Sequence, residues 1–115
     1  MKNTFDTIVI GAGMTGGWAA KEFTEKGFKT LLLERGRNIE HISDYPTSNL
    51  QPWELKHRGR LTAQEIKENP IASSCYAFRE DAKHFFVKDK DHPYNQIRPF
   101  DWIRGYQVGG KSIMW

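Results

Sequence analysis

An α/β fold built around one βαβ unit follows from three features of the first 36 residues. Two short runs favour strands, a glycine-rich turn follows the first run, and an amphipathic stretch lies between them. Thr7–Ile10 (TIVI) is β-branched throughout and is bounded by Gly11, which predicts a short buried strand. Met14–Lys26 predicts a helix: Ala19, Ala20 and Phe23 share one face, while Lys21, Glu22 and Glu25 fall elsewhere. Gly27, just after Lys26, supplies the expected stop. Thr30–Leu33 (TLLL) predicts a second buried strand ending at Glu34. Strand, turn, helix and strand within about 30 residues match the size of one βαβ unit.

Residues 37–97 read differently. Positions 37–60 are polar, hold Pro46 and Pro52, and show no sustained period, so an excursion of loops and short elements is expected. TAQEIKEN at 62–69 predicts a short helix, with Thr62 and Glu65 as a capping box and Pro70 beyond its end. A strand is expected around His84–Val87, a polar turn near Asp89–Asp91, and another short strand near Trp102–Arg104. The chain thus divides into a βαβ unit (1–36), an excursion (37–97) and a glycine loop with its flanks (98–115). The chain closes on an apolar run, Ile113, Met114 and Trp115, that reads as the start of a buried element. A doubly wound sheet also needs more than two parallel strands. The expectation is therefore an incomplete domain, the N-terminal part of a longer protein.

Bulk properties narrow the function classes. The 115 residues allow one ordinary domain. The formal charge is +3 with both signs mixed along the chain, whereas a nucleic-acid binder concentrates Lys and Arg on one face. Cys75 is the one cysteine, so no internal disulfide is available and nothing points to an oxidising compartment. The N-terminal apolar run, Ile8–Ile10, leads straight into glycines rather than to a cleavage site, and no window approaches the roughly 18 apolar residues of a membrane span. A cytoplasmic protein without a membrane span is expected.

The chemistry lies in two glycine motifs. Gly11-Ala12-Gly13-Met14-Thr15-Gly16 is G-x-G-x-x-G, set between a predicted strand and helix, with an acidic residue, Glu34, closing the next strand. Gly11 permits the tight turn, Gly13 lets a pyrophosphate reach the backbone, and Gly16 lets helix and strand pack closely. Met14 and Thr15 open the helix, whose unpaired N–H groups and dipole favour phosphate. Glu34 is placed to accept the ribose hydroxyls of a dinucleotide and disfavours a 2′-phosphate; Arg35 beside it reads as solvated or facing the adenine. This fingerprint predicts a Rossmann-like unit that binds NAD or FAD.

The second motif, GYQVGGKS, runs from Gly105 to Ser112 and fits G-x-x-x-x-G-K-S, the phosphate loop of nucleotide hydrolases. Its surroundings fit poorly, because the preceding PFDWIR is short and charged for a buried strand. Two readings stay open beside that P-loop module: a plain glycine turn with Lys111 in solvent, and a loop that serves the first motif.

FDTIVIGAGMTGGWAAKEFTEKGFKTLLLERG followed by WIRGYQVGGKSIMW resembles the N-terminal part of the glucose–methanol–choline (GMC) family of FAD oxidoreductases. The likeness runs in order along most of the chain, with a generic middle at 37–97. The Gly-Gly-Lys-Ser-Ile-Met-Trp form is similar to the subgroup acting on sugars, polyols and sugar acids. It departs from the common Gly-Gly-Ser-Ser followed by Asn-Gly, and it has no histidine, so covalent flavin attachment is not implied. The resemblance implies that Gly11, Gly13, Gly16 and Glu34 hold the ADP half of FAD. It implies that Gly109, Gly110 and Ser112 line the flavin side, with Arg104 a further candidate and Lys111 either near the pyrophosphate or in water. It also implies oxidation of an alcohol or sugar carbon with hydride passing to flavin N5, the electron acceptor being unspecified. The family's catalytic histidine lies near the C-terminus. His41, His57, His84 and His92 do not match its motif, so no catalytic residue and no metal ligand is assigned, and this chain alone is expected to be catalytically silent.

Overall fold

The computed structural model describes residues 4–114. The chain forms two compact units: one runs to Ile39 and resumes at Tyr106, the other spans Glu40–Gly105.

The first unit holds β1 (Thr7–Ile10), α1 (Met14–Glu25) and β2 (Thr30–Leu33). The strands pair in parallel, with Thr7 beside Thr30 and Ile10 beside Leu33. This is the small α/β unit, compatible with part of a Rossmann-like βαβ, that the first 36 residues predict. Helix α1 stops in a Schellman arrangement. Gly27 takes φ +86°, its N–H donates to the Thr24 carbonyl at 3.0 Å, and the Phe28 N–H donates to the Phe23 carbonyl at 3.0 Å. The Phe23 and Phe28 rings then meet edge to face at 6.0 Å, the apolar contact that accompanies such a cap. Phe23 therefore closes the helix end and stays partly exposed, while Ala19 and Ala20 are half-buried.

Burial departs from the expectation of two buried strands. Val9 is buried, but its neighbours Ile8 and Ile10 are exposed, Ile10 by 85%. Successive strand residues point to opposite faces, so Val9 meets α1 while Ile8 and Ile10 face the other way. One helix covers one face of the sheet; nothing among the described residues of this unit covers the other.

A third segment joins the first unit beyond β2. The Arg37 N–H donates to the Tyr106 carbonyl at 3.3 Å, and the Val108 N–H donates to the Arg37 carbonyl at 2.9 Å. These bonds form an isolated parallel bridge between Arg37 and Gln107.

In the second unit, α2 (Ala63–Glu68) begins in the expected capping box. The Glu65 N–H donates to Thr62 Oγ1 at 3.2 Å, and the Thr62 N–H donates to Glu65 Oε2 at 2.8 Å. Ala72, Phe78, Phe85, Phe86 and Val87 form the apolar core, with Phe78 and Phe86 edge to face at 5.3 Å. The strand expected around His84–Val87 is instead a 3₁₀ turn at Lys83–Phe85. A strand would send Phe85, Phe86 and Val87 alternately outward, whereas the turn lets all three be buried. No strand forms near Trp102–Arg104 either; the Val87 N–H donates to the Arg104 carbonyl at 2.8 Å, a single bond between extended segments. The turn at Asp89–Asp91 is present.

Lys83 ties this unit together, because its ammonium donates to both Glu65 and Glu80. Burial disfavours the charged amine, but the two carboxylates outweigh it and hold the Lys83 pKa above its ordinary value. The Lys83 bond, with the Thr62 backbone and hydroxyl, holds Glu65 down at about 2 against an ordinary 4.5. A carboxylate with a depressed folded pKa contributes stability above its unfolded value and loses it as pH falls through the folded one. The contribution of Glu65 is thus expected to be complete above about pH 4.5 and lost toward pH 2. Lys83→Met should remove about 1–2 kcal/mol at neutral pH and move the onset of acid unfolding upward. Denaturant unfolding as a function of pH measures both effects.

Candidate functional site

The site is built on the turn between β1 and α1. The Gly11 N–H donates to the Leu33 carbonyl at 2.7 Å, and Gly11 takes φ +94°, so the chain leaves β1 in a conformation that favours glycine. Gly13 is the N-cap of α1 without a side-chain cap, and the first-turn N–H groups of Met14, Thr15 and Gly16 have no intrahelical acceptor. A Cβ built at Gly11 or at Gly13 meets nothing within 4 Å. The turn is thus open where a phosphate would approach the backbone. Gly16 is the opposite case: its Cβ would stand 1.8 Å from the Gly11 carbonyl oxygen, so turn and helix touch only because that side chain is missing.

Glu34 follows β2 and reaches back to the turn. Its Oε2 accepts the Ala12 N–H at 2.6 Å, and its Oε1 accepts the Gly36 N–H at 2.8 Å. The Ala12 bond, then the Gly36 bond, lower its pKa against the opposing effect of burial, so it is a carboxylate at neutral pH. Glu34 therefore braces the glycine turn itself, a role additional to the ribose contact expected from sequence. Each carboxylate oxygen keeps a further lone pair for a ligand hydroxyl. The Arg35 guanidinium lies over the Tyr106 ring at 3.8 Å, a cation–π contact rather than a purely solvated position.

The second glycine loop packs against the first. The Gly109 N–H donates to the Ala12 carbonyl at 2.8 Å. A Cβ at Gly110 would stand 3.2 Å from the Gly13 Cα, so the two glycine backbones are in close contact. Gly109 and Gly110 take φ +90° and +61°, and a 3₁₀ turn, Gly110–Met114, follows. Ser112 Oγ donates to the Gly109 carbonyl, closing that turn, and Lys111 is exposed. Trp115 lies outside the described residues.

The structure thus brings together Gly11, Gly13, Met14, Thr15, Gly16, Glu34, Arg35, Gly109, Gly110 and Ser112 in one unit. Arg104 belongs to the other unit, where it is buried, donates to the His92 carbonyl, and stacks on Tyr94 and Trp102. All four histidines also lie there, and His84 Nε2 sits 3.0 Å from the Asp44 carbonyl oxygen. The P-loop reading of Gly105–Ser112 loses its strand, since no strand leads directly into Gly105 among the described residues. Among those residues no His, Cys, Asp and Glu group of three or more could hold a metal ion, and no helix is long and apolar enough to cross a membrane.

Four residues of the site escape a reading by sequence. Ala12 is only the spacer in the fingerprint, yet both its amide groups are engaged, with Glu34 and Gly109. Gly36 reads as the place where the pattern stops. A Cβ there would stand 2.1 Å from the Tyr106 carbonyl carbon and 2.2 Å from the Gln107 nitrogen, so it is the seat of the second loop. Tyr106 carries Arg35. Gln107 is 3% exposed, and its amide donates to the Gly110 carbonyl at 3.2 Å. The one available signal was a polar residue inside the apolar stretch before Gly109.

No protein-family model and no solved structure matches the chain significantly. Curated relatives do. The chain is 29% identical over 110 residues to a gluconate 2-dehydrogenase flavoprotein of Pantoea cypripedii, covering 96% of this chain and 16% of that protein. It is 28% identical over 105 residues to protein FixC of Rhizobium meliloti (strain 1021), covering 85% of this chain and 22% of FixC. A 35-residue stretch is 49% identical to a digeranylgeranylglycerophospholipid reductase of Methanospirillum hungatei, 30% of this chain and 9% of that enzyme. The chain spans about a fifth of the length of the first two relatives.

Proposed function

We propose that this chain is the FAD-binding portion of a GMC-type flavoprotein oxidoreductase acting on CH–OH groups of sugars, polyols or sugar acids. The observation that carries the reading is the seat of Gly110 against Gly13, which turns two separate glycine motifs into one cradle. The likeness to a gluconate 2-dehydrogenase flavoprotein over 96% of the chain supports the cofactor and the substrate class together.

In this reading the pyrophosphate of a non-covalently held FAD lies on the open turn, at the N–H groups of Gly13, Met14, Thr15 and Gly16. Gly11 shapes the turn, and Gly16 keeps it close to the helix. Glu34 receives the ribose hydroxyls while bracing Ala12. Arg35, backed by Tyr106, borders the adenosine end. Gly109, Gly110 and Ser112 form the flavin side. When bound, FAD supplies the hydride-accepting N5 for oxidation of an alcohol carbon. Proton removal from the substrate is assigned to no residue of this chain.

Titration of the purified chain with FAD, NAD and ATP tests the reading. FAD is expected to bind with a perturbed visible flavin absorbance, and NAD and ATP more weakly. Glu34→Gln exchanges one carboxylate oxygen for an NH2 group facing a backbone N–H and should weaken FAD about tenfold, the loss of one charge-assisted hydrogen bond. Binding of ATP in preference to FAD, abolished by Lys111→Ala, would restore the hydrolase loop instead.

A further inference from the structure

We infer that Gln107 is a positioning residue for the flavin-side loop, holding Gly109 and Gly110 in place so that the isoalloxazine half of FAD, but not its ADP half, depends on it. The inference rests on the FAD reading above.

Among the described residues of the first unit, Gln107 is the one buried side-chain amide, 3% exposed, and its surroundings fix it from both ends. Its backbone is seated by the bridge to Arg37 and by the missing side chain of Gly36. Its carbonyl accepts the Gly110 N–H at 2.9 Å, and its side-chain nitrogen donates to the Gly110 carbonyl at 3.2 Å. Gln107 therefore grips both polar groups of Gly110. Gly110 takes a left-handed φ of +61°, and glycine leaves the unfolded chain more freedom than any other residue. A loop with two consecutive left-handed glycines needs outside bonds to hold one conformation. Such bonds include the Gly109 N–H to Ala12, the Ser112 hydroxyl to the Gly109 carbonyl, and the two between Gln107 and Gly110.

The ADP cradle has different supports. The turn Gly11–Gly13 shares one bond with the second loop, from the Gly109 N–H to the Ala12 carbonyl, but its bonds to Leu33 and Glu34 do not involve Gln107. Loss of the Gln107 amide should therefore loosen one loop and leave the other.

Two variants separate this role from a purely structural one. Gln107→Leu removes the donor and keeps most of the volume; Gln107→Glu keeps the shape and sets a carboxylate against the Gly110 carbonyl. Calorimetric titration of wild type and of both variants with FAD and with ADP gives the readout. FAD affinity is expected to fall about tenfold in each variant, as for one lost buried hydrogen bond, with ADP affinity within about twofold of wild type. Equal losses for FAD and ADP, or no loss for either, would overturn the positioning role. A wild-type chain that binds ADP but not FAD would defeat the flavin reading itself, before any substitution is made. If the leucine variant does not fold, the isosteric glutamate variant decides the matter.

Discussion

Gly16→Ala is expected to destabilise the first unit by about 2–3 kcal/mol and to abolish tight nucleotide binding. The added Cβ would lie 1.8 Å from the Gly11 carbonyl oxygen and 3.0 Å from its carbon, both backbone atoms that no rotamer change can clear. Either the turn must lift from α1 or the helix must slide away from Val9, whose Cγ1 is 3.6 Å from the same position. Both movements disturb the N–H groups proposed to face a phosphate. Gly17→Ala is the matched control. A Cβ at Gly17 meets nothing within 4 Å, and alanine is the better helix former, so a gain of about 0.5–1 kcal/mol is expected there. Denaturant unfolding and FAD titration of the two variants should move in opposite directions; parallel behaviour would show that the close contact does not exist in solution.

Gly36→Ala acts on the second loop. Its Cβ would stand 2.1–2.3 Å from the Tyr106 carbonyl group and the Gln107 nitrogen. The backbone from Tyr106 to Val108 would have to leave Arg37, breaking the bonds at 3.3 and 2.9 Å that dock it. A loss of about 2–3 kcal/mol is expected. Amide hydrogen exchange locates the damage: the Val108 and Gly109 amides should lose protection, while the Ile8–Ile10 amides in β1 keep more of theirs. Uniform loss of protection would mean that the two loops unfold as one body.

The local elements were legible because their signals are local. The β-branched run of β1, the glycine after α1 and the Thr62–Glu65 box each act within a few residues, and each forms as the spacing predicts. The excursion was harder. Phe85, Phe86 and Val87 look like strand residues, but a strand needs a partner, and the core around Phe78 takes all three from a tight turn instead. The strands' burial departs from expectation for a related reason: apolar character at Ile8 and Ile10 is local, whereas what covers a sheet face depends on elements elsewhere.

By itself the sequence determined the βαβ unit, the turn that opens α1, and Glu34 as the acidic partner at the end of β2. Those follow from spacing along a short stretch of backbone. The tertiary structure alone decided that Gly110 lies on Gly13, that Gly36 seats Tyr106 and Gln107, and that Glu34 grips Ala12 and Gly36. These contacts join residues far apart in the chain or use backbone groups. Backbone N–H and C=O groups are the same at every position, so no residue pattern announces which of them will meet.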